Sequence, residues 1–254
     1  MGYLYETHLH TLEGSACARV AGADYIDFMK SRGFAGMIVT DHFFTGNCAV
    51  NRSLPWKEKV SLYMAGYRNA LAASSGKDFD VMFGIEYNFR GDEYLLYGLD
   101  EKWLLDNPDI ESLSYEGVYE RVHQGGGIMF QAHPYRERGY LADIRLNPSV
   151  TDGIEIYNAE NDDNMNALAY EYAKKLNVPM TGGSDIHYFR DSALGGTMLP
   201  ERIDDSADFA RLVMAGEGVP TRVLNGEIKS VYDIPTLLKS VHGPLMPVFD
   251  KSLH

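Results

Sequence analysis

The chain has 254 residues and carries 23 Lys+Arg against 36 Asp+Glu, a formal charge of −13. At about 150 residues per domain that length suits one or two domains, and 45% hydrophobic with 23% charged residues excludes a disordered chain. The acidic balance excludes broad sequence-independent nucleic-acid binding, and Cys17 and Cys48 are too few for a disulfide framework.

In chain order, the first predicted strand is Tyr3–His10, and the first residues, Met1-Gly2-Tyr3-Leu4-Tyr5-Glu6, lack the basic stretch and apolar run of a secretory signal. No apolar window is long enough to span a membrane, so the expected address is the cytoplasm. A short helix over Asp24–Arg32 precedes a second strand, Gly36–His42. Trp56, Val60, Tyr63, Met64, Tyr67 and Leu71 then recur at spacings of three and four, one face of a helix of about five turns. Asp80–Tyr87 reads as a strand paired across a Gly91 turn with Glu93–Asp100. A helix carrying His123 leads to Gly125-Gly126-Gly127 and the strand Ile128–His133. These glycines precede a strand rather than open a helix, which excludes a dinucleotide or P-loop reading. Gly153–Tyr157 follows, then a helix through Met165, Leu168, Ala169, Tyr172, Ala173 and Leu176. Asp162 and Asp163 suit its N-terminal end, and Lys174 and Lys175 its C-terminal end. The strand Pro179–Ser184 and a helix over Ser206–Ala215 complete the pattern.

Strands alternating with helices imply a mainly parallel sheet in one α/β domain, a closed or distorted barrel over residues 1–234. The proline-bearing tail, 235–254, is expected to pack on the barrel or extend from it; it holds His242 and His254, which carry no motif.

Five of the eight histidines fall at or just beyond the ends of predicted strands. They occur in His8-Leu9-His10, Thr40-Asp41-His42, Gln131-Ala132-His133-Pro134 and Gly183-Ser184-Asp185-Ile186-His187, with Glu86 in Gly84-Ile85-Glu86-Tyr87. In a parallel barrel these ends converge on one face, where active sites sit. Residues i and i+2 of an extended segment point the same way, so His8 and His10 can share a ligand with Leu9 packed behind. Asp185 and His187 repeat the spacing. Imidazole with carboxylate suits Zn²⁺, Mn²⁺ or Fe, and the motifs lack the cysteines of a structural zinc knuckle. Cys17 and Cys48 each follow a ligand-bearing strand and read as free thiols near the mouth.

Taken in order, these five motifs resemble the PHP (polymerase and histidinol phosphatase) superfamily over residues 3 to 190. The resemblance implies a distorted (β/α)7 TIM-like barrel with two or three divalent metal ions in its mouth. By motif, His8, His10, Glu86 and Asp185 would hold the first metal, Glu86 and His133 the second, and His42 and His187 the third. The loop after His10 often supplies an Asp or His to the third site; here Glu13 is the nearest candidate. Many members also have a His on the strand after the Glu86 position, whereas this chain has Asp92-Glu93-Tyr94-Leu95-Leu96-Tyr97-Gly98. Glu93 or water is left to fill that place.

The expected activity is hydrolysis of a small phosphorylated metabolite, with hydroxide attacking phosphorus in line with the leaving oxygen. His187 or Asp41 would meet that oxygen, Asp41 otherwise orienting a ligand imidazole. Arg136 is the first candidate for binding phosphate, with Arg138 and Arg19 behind it. Asn158 is expected either to reach substrate or to cap the helix that follows. The rival readings are an amidohydrolase-like barrel, which often needs a strand lysine that the strands named above lack, and a degenerate barrel acting as a binding module.

Overall fold

The computed structural model describes residues 2–239, 243 and 247–248. Strand β1, Tyr3–Leu9, is buried from Leu4 to Leu9 because both its faces are covered. It runs parallel to β2, Gly36–Val39, after helix α1, Tyr25–Ser31. The long predicted helix is two, α2 over Trp56–Tyr63 and α3 over Ala65–Ser74, separated at Met64. Just past the break, Gly66 meets the loop after β1 so closely that a Cβ would lie 2.0 Å from Thr11 Oγ1. Periodicity reports the apolar face but not this requirement for close backbone approach.

The single strand predicted over Asp80–Tyr87 also divides. Strand β3, Asp80–Phe83, lies parallel to β2, whereas β4, Ile85–Phe89, turns to pair antiparallel with β5, Asp92–Tyr97. The expected hairpin turn is present, with Arg90 and Gly91 at φ 51° and 104°. Helices α4, Glu101–Asp106, and α5, Tyr115–Gln124, lead to β6, Ile128–Gln131. The two-residue strand β7, Ile144–Arg145, precedes β8, Gly153–Asn158. Helix α6, Asp163–Leu176, connects it to β9, Met180–Gly183. Asn177 closes α6 in the left-handed conformation with lysines in the last turn.

The expectation of a closed or TIM-like barrel is corrected. The main strands form a sheet in the order β3-β2-β1-β10-β11-β12 and another in the order β4-β5-β6-β8-β9. Here β10 is Leu194–Leu199, β11 Val219–Leu224 and β12 Glu227–Ser230, with helix α7, Ser206–Met214, between β10 and β11. The barrel does not close because β10 pairs antiparallel with the first residues of β1, the place a β9 ladder would need. Both sheets therefore mix parallel and antiparallel pairing. They are joined by two isolated bridges, Leu9 to Ile186 and His42 to Glu86. Both bridges lie among the histidine and carboxylate motifs, so the site occupies the seam between the sheets.

Strand β13, Pro247–Val248, pairs with β7, while His242 and His254 lie outside the described residues. Among the described residues no helix is long and apolar enough to cross a membrane.

Candidate metal centre

At the end of β1, His8 and His10 both point into the seam and Leu9 packs into the core on the other side, as the extended spacing predicts. His8 Nε2 lies 3.1 Å from Glu86 Oε1 and 3.4 Å from Asp185 Oδ1. His10 Nε2 lies 3.1 Å from Asp185 Oδ1 and 3.6 Å from Glu86 Oε2. His133 Nε2 is 3.3 Å from Glu86 Oε1 and 3.6 Å from Glu93 Oε2. His42 Nδ1 contacts Glu86 Oε2 and lies 4.0 Å from Glu93 Oε1. Glu86 thus turns one oxygen to His8 and His133 and the other to His10 and His42.

Donor atoms gather in four overlapping groups, each within 4.8 Å: His8, His10 and Asp185; His8, Glu86 and His133; His42, Glu86 and Glu93; His10, His42 and His187. Every member is buried except the half-buried His187. His8 Nε2, His10 Nε2, His42 Nδ1 and Glu86 Oε2 are enclosed yet make no hydrogen bond. Converging, unsatisfied lone pairs are costly without a partner, and a divalent cation satisfies several at once. The residues therefore fit the metals that the motifs imply.

The outer contacts set the tautomers. His8 Nδ1 donates to Glu155 Oε1 at 3.0 Å and His187 Nδ1 donates to the Asp185 carbonyl at 2.9 Å. His10 Nδ1 donates to Ser15 Oγ at 3.0 Å, and that hydroxyl in turn donates to Asp41 Oδ1 at 2.7 Å. In the neutral ring each of these partners leaves Nε2 bare toward the cluster. His133 and Asp185 adopt φ 29° and 55°, uncommon for residues with a side chain and held by their surroundings. Glu155 contributes to that hold, since its Oε2 accepts from His133 N at 3.0 Å.

Charge is partitioned within the cluster. Burial would raise the Glu86 carboxyl, but His42 and His8 outweigh it and hold it well below the usual range. Asp185 is likewise held low, against burial, by His8 and Arg136. Burial opposes the cationic form of His8, yet Asp185, Glu155 and Glu86 raise it well above its ordinary value. Burial, with His187 and His42, pushes His10 the other way.

Several expectations are placed differently. Glu13 is not in the cluster: its carboxylate accepts from Gly22 N at 3.1 Å and Asn69 Nδ2 at 2.9 Å, holding the turn before α1. Asp41 is buried and receives hydrogen bonds from Thr11 N, Thr11 Oγ1 and Ser15 Oγ, and through Ser15 it bears on His10. His187 stands at the wall of the cleft, with a ring nitrogen in the donor group it forms with His10 and His42. Asn158 does not cap α6, whose N-cap is Asp162; its Oδ1 accepts from Arg136 and its Nδ2 donates to Glu155. Arg19 is exposed and bonds the Ala16 and Ala18 carbonyls of its own loop. Arg138 pairs with Glu93 and Arg136 with Asp185, both beside the cluster. His123 pairs with Asp152 on the surface, away from the cluster.

Glu93, on the strand that lacks a histidine, brings a carboxylate oxygen into one donor group with His42 and Glu86. Glu155 and Glu6 were not singled out by the motifs. Each is a lone carboxylate in a buried strand, and Glu6 lies two residues before His8 on the same face, accepting from His8 N and Ser184 N. That alternation was the available signal. Burial raises Glu6 to about 7, against the hydrogen bonds from Ser184 and His8. A cleft of about 400 Å³ opens beside the cluster, lined by Cys17, Arg136, Glu160, Asp185, His187 and Tyr188.

The PHP-associated family model (PHP_C) matches residues 164–217, from α6 through α7 and including Asp185 and His187. No curated protein matches the chain. A two-domain protein from Bacteroides vulgatus containing a predicted PHP-like metal-dependent phosphoesterase is similar in structure, with TM-score 0.67 and 15% identity over 94% of this chain and 69% of that one. PsfC from Pseudomonas syringae gives 0.56 and 16% over 88% and 92%. An amidohydrolase from Chromobacterium violaceum, solved with sulfate and no metal, gives 0.50 and 14% over 72% and 87%. At these identities the likeness is one of fold. The family match adds the stretch from α6 through α7 to that likeness, and the rest of the chain rests on fold alone.

Proposed function

We propose that this chain, as a PHP-type fold, is a metal-dependent hydrolase of small phosphoesters. The observation that carries the reading is the convergence of bare imidazole nitrogens and carboxylates from several strand ends beside an open cleft that Arg136 lines. His8, His10, Glu86 and Asp185 would hold one divalent ion, Glu86, His133 and Glu93 a second, and His42 with His187 a third. Such ions supply an activated water near neutral pH and neutralise charge on a phosphoryl group.

The protein's own part is positioning. Glu86 would serve more than one of these sites, since one oxygen faces His8 and His133 and the other His10 and His42. Glu155 and the Asp41–Ser15 pair keep Nε2 of His8 and His10 directed inward. Arg136 donates from Nε to Asn161 Oδ1 at 2.7 Å and from Nη2 to Asn158 Oδ1 at 2.6 Å, which orients its fork along the cleft wall. Its Nη1 pairs with Asp185 and would exchange that partner for a phosphoryl oxygen, with the planar guanidinium offering a fork that lysine lacks.

The amidohydrolase reading lacks a lysine in the right place. Among the described strands the lysine is Lys229 on β12, paired with Glu227 away from the cluster. The test is phosphate release from sugar phosphates, nucleotides and amino-alcohol phosphates by protein reconstituted with Mn²⁺, Zn²⁺ or Fe²⁺. Turnover of at least one class is expected. Cleavage of amides or lactones but no phosphoester by fully loaded protein would replace this reading, and metal binding with no hydrolysis would favour a binding module.

A further inference from the structure

The loop after His10 is held across the mouth by backbone hydrogen bonds on both sides. Ala16 N donates to Asn47 O at 2.9 Å, Ala49 N to Gly14 O at 2.8 Å, and Arg19 N to His187 O at 2.7 Å. These clamps fix residues 14–19 between the loop after β2 and the loop carrying His187. Glu13, just before that span, turns away to Gly22 and Asn69, whereas Cys17 lines the cleft together with His187 and Asp185, its thiol under the influence of both His187 and His42. His10, His42 and His187 already bring nitrogen donors within 4.8 Å of one another there, and His10 Nε2 is fully enclosed without a hydrogen-bond partner. The His10 ring lies 4.1 Å from that of His187 and 4.3 Å from that of His42.

We propose that Cys17 is a metal ligand, its thiolate completing a three-nitrogen, one-sulfur donor set with His10, His42 and His187. The inference rests on reading the surrounding cluster as a metal centre. It adds a donor that no strand-end motif contains and that makes this position unlike the carboxylate-rich positions around Glu86. Thiolate with imidazole favours Zn²⁺ or Fe²⁺ over Mn²⁺ and Mg²⁺, which prefer oxygen donors. One chain would then hold ions of different softness side by side, the softer one at the wall of the cleft. Cys48 is the internal control: its sulfur accepts from Val50 N at 3.4 Å, and it does not line the cleft that Cys17 shares with His187.

The test uses Co²⁺ alone, added to metal-free full-length protein, because a cobalt–thiolate bond has a near-ultraviolet charge-transfer band that nitrogen and oxygen ligands do not produce. The wild type is expected to show the band, Cys48→Ser to keep it and Cys17→Ser to lose it. Cys17→Asp should retain the ion without the band. In Cys17→Ser the Zn²⁺ affinity of the weakened site should fall by at least the roughly 10–100-fold that loss of an outer-shell partner brings. Cobalt bound without the band, or a band that survives in Cys17→Ser, would overturn the assignment and leave the metal centre standing. Absence of cobalt binding by the wild type would overturn the metal centre and this ligand with it.

Discussion

Glu86 stands where four imidazoles meet, and its position explains why removal of one ligand disturbs more than one ion site. His10→Ala and Asp185→Ala are expected to lose bound metal and activity together, as measured by elemental analysis beside a phosphatase assay; full metal content in both variants would remove these ligand assignments. Protons report the same centre. Burial opposes charge on His8 and His42, but neighbouring carboxylates raise both well above the usual histidine range, whereas a cation needs bare nitrogens. Metal uptake near neutral pH should therefore expel protons, and affinity should weaken as pH falls. Calorimetry in buffers of differing ionisation enthalpy reads this directly, and a buffer-independent heat would contradict it. The strand-end motifs made His8, His10, His42, Glu86, His133, Asp185 and His187 legible in the sequence. Cys17, Glu93 and Glu155 were less so, because a side chain's role there depends on which loop or strand packs opposite.

Elements of strong local character follow their residue patterns. Helix α6 has its acidic start, lysine-rich end and apolar face, and the β4–β5 hairpin turns at Gly91. The predicted elements do not include the meander β10–β11–β12, whose first strand, Leu194–Leu199, carries Gly195 and Gly196 in place of apolar side chains. Those glycines answer a tertiary demand: a Cβ on Gly195 would lie 2.0 Å from the Gly183 carbonyl oxygen. Gly183 is equally confined, with the same hypothetical atom 2.5 Å from His8 Cβ and 2.6 Å from Glu155 Oε1. Gly183→Ala should destabilise the fold by about 1–3 kcal/mol, as overpacking does, and should weaken metal binding by displacing His8. Denaturant unfolding and metal titration check both halves, and a variant with wild-type stability would show that β9 can yield.

For the whole molecule, −13 describes the outside better than the cleft. Two or three divalent ions would add about four to six positive charges at the seam and reverse the local sign for an anionic substrate. Because those ligands come from both sheets, metal binding should also tie the sheets together. Addition of Mn²⁺ or Zn²⁺ is expected to raise the thermal midpoint and chelation to lower it, by up to about 3 kcal/mol of stability at a hundredfold excess over Kd. A midpoint unmoved by either ion would contradict a centre shared across the seam.

By itself the sequence determined the alternating α/β order, the strand ends at which the histidines fall and the chemical kind of centre they can form. These are local properties, since periodicity and i, i+2 spacing act along a few residues of chain. The tertiary structure alone decided that two sheets meet without closing, that Glu13 faces out while Cys17 faces in, and that Asp41 acts through Ser15. Each of those outcomes depends on which backbone segments approach one another across long stretches of sequence, where a hydrogen bond or a missing Cβ decides the packing.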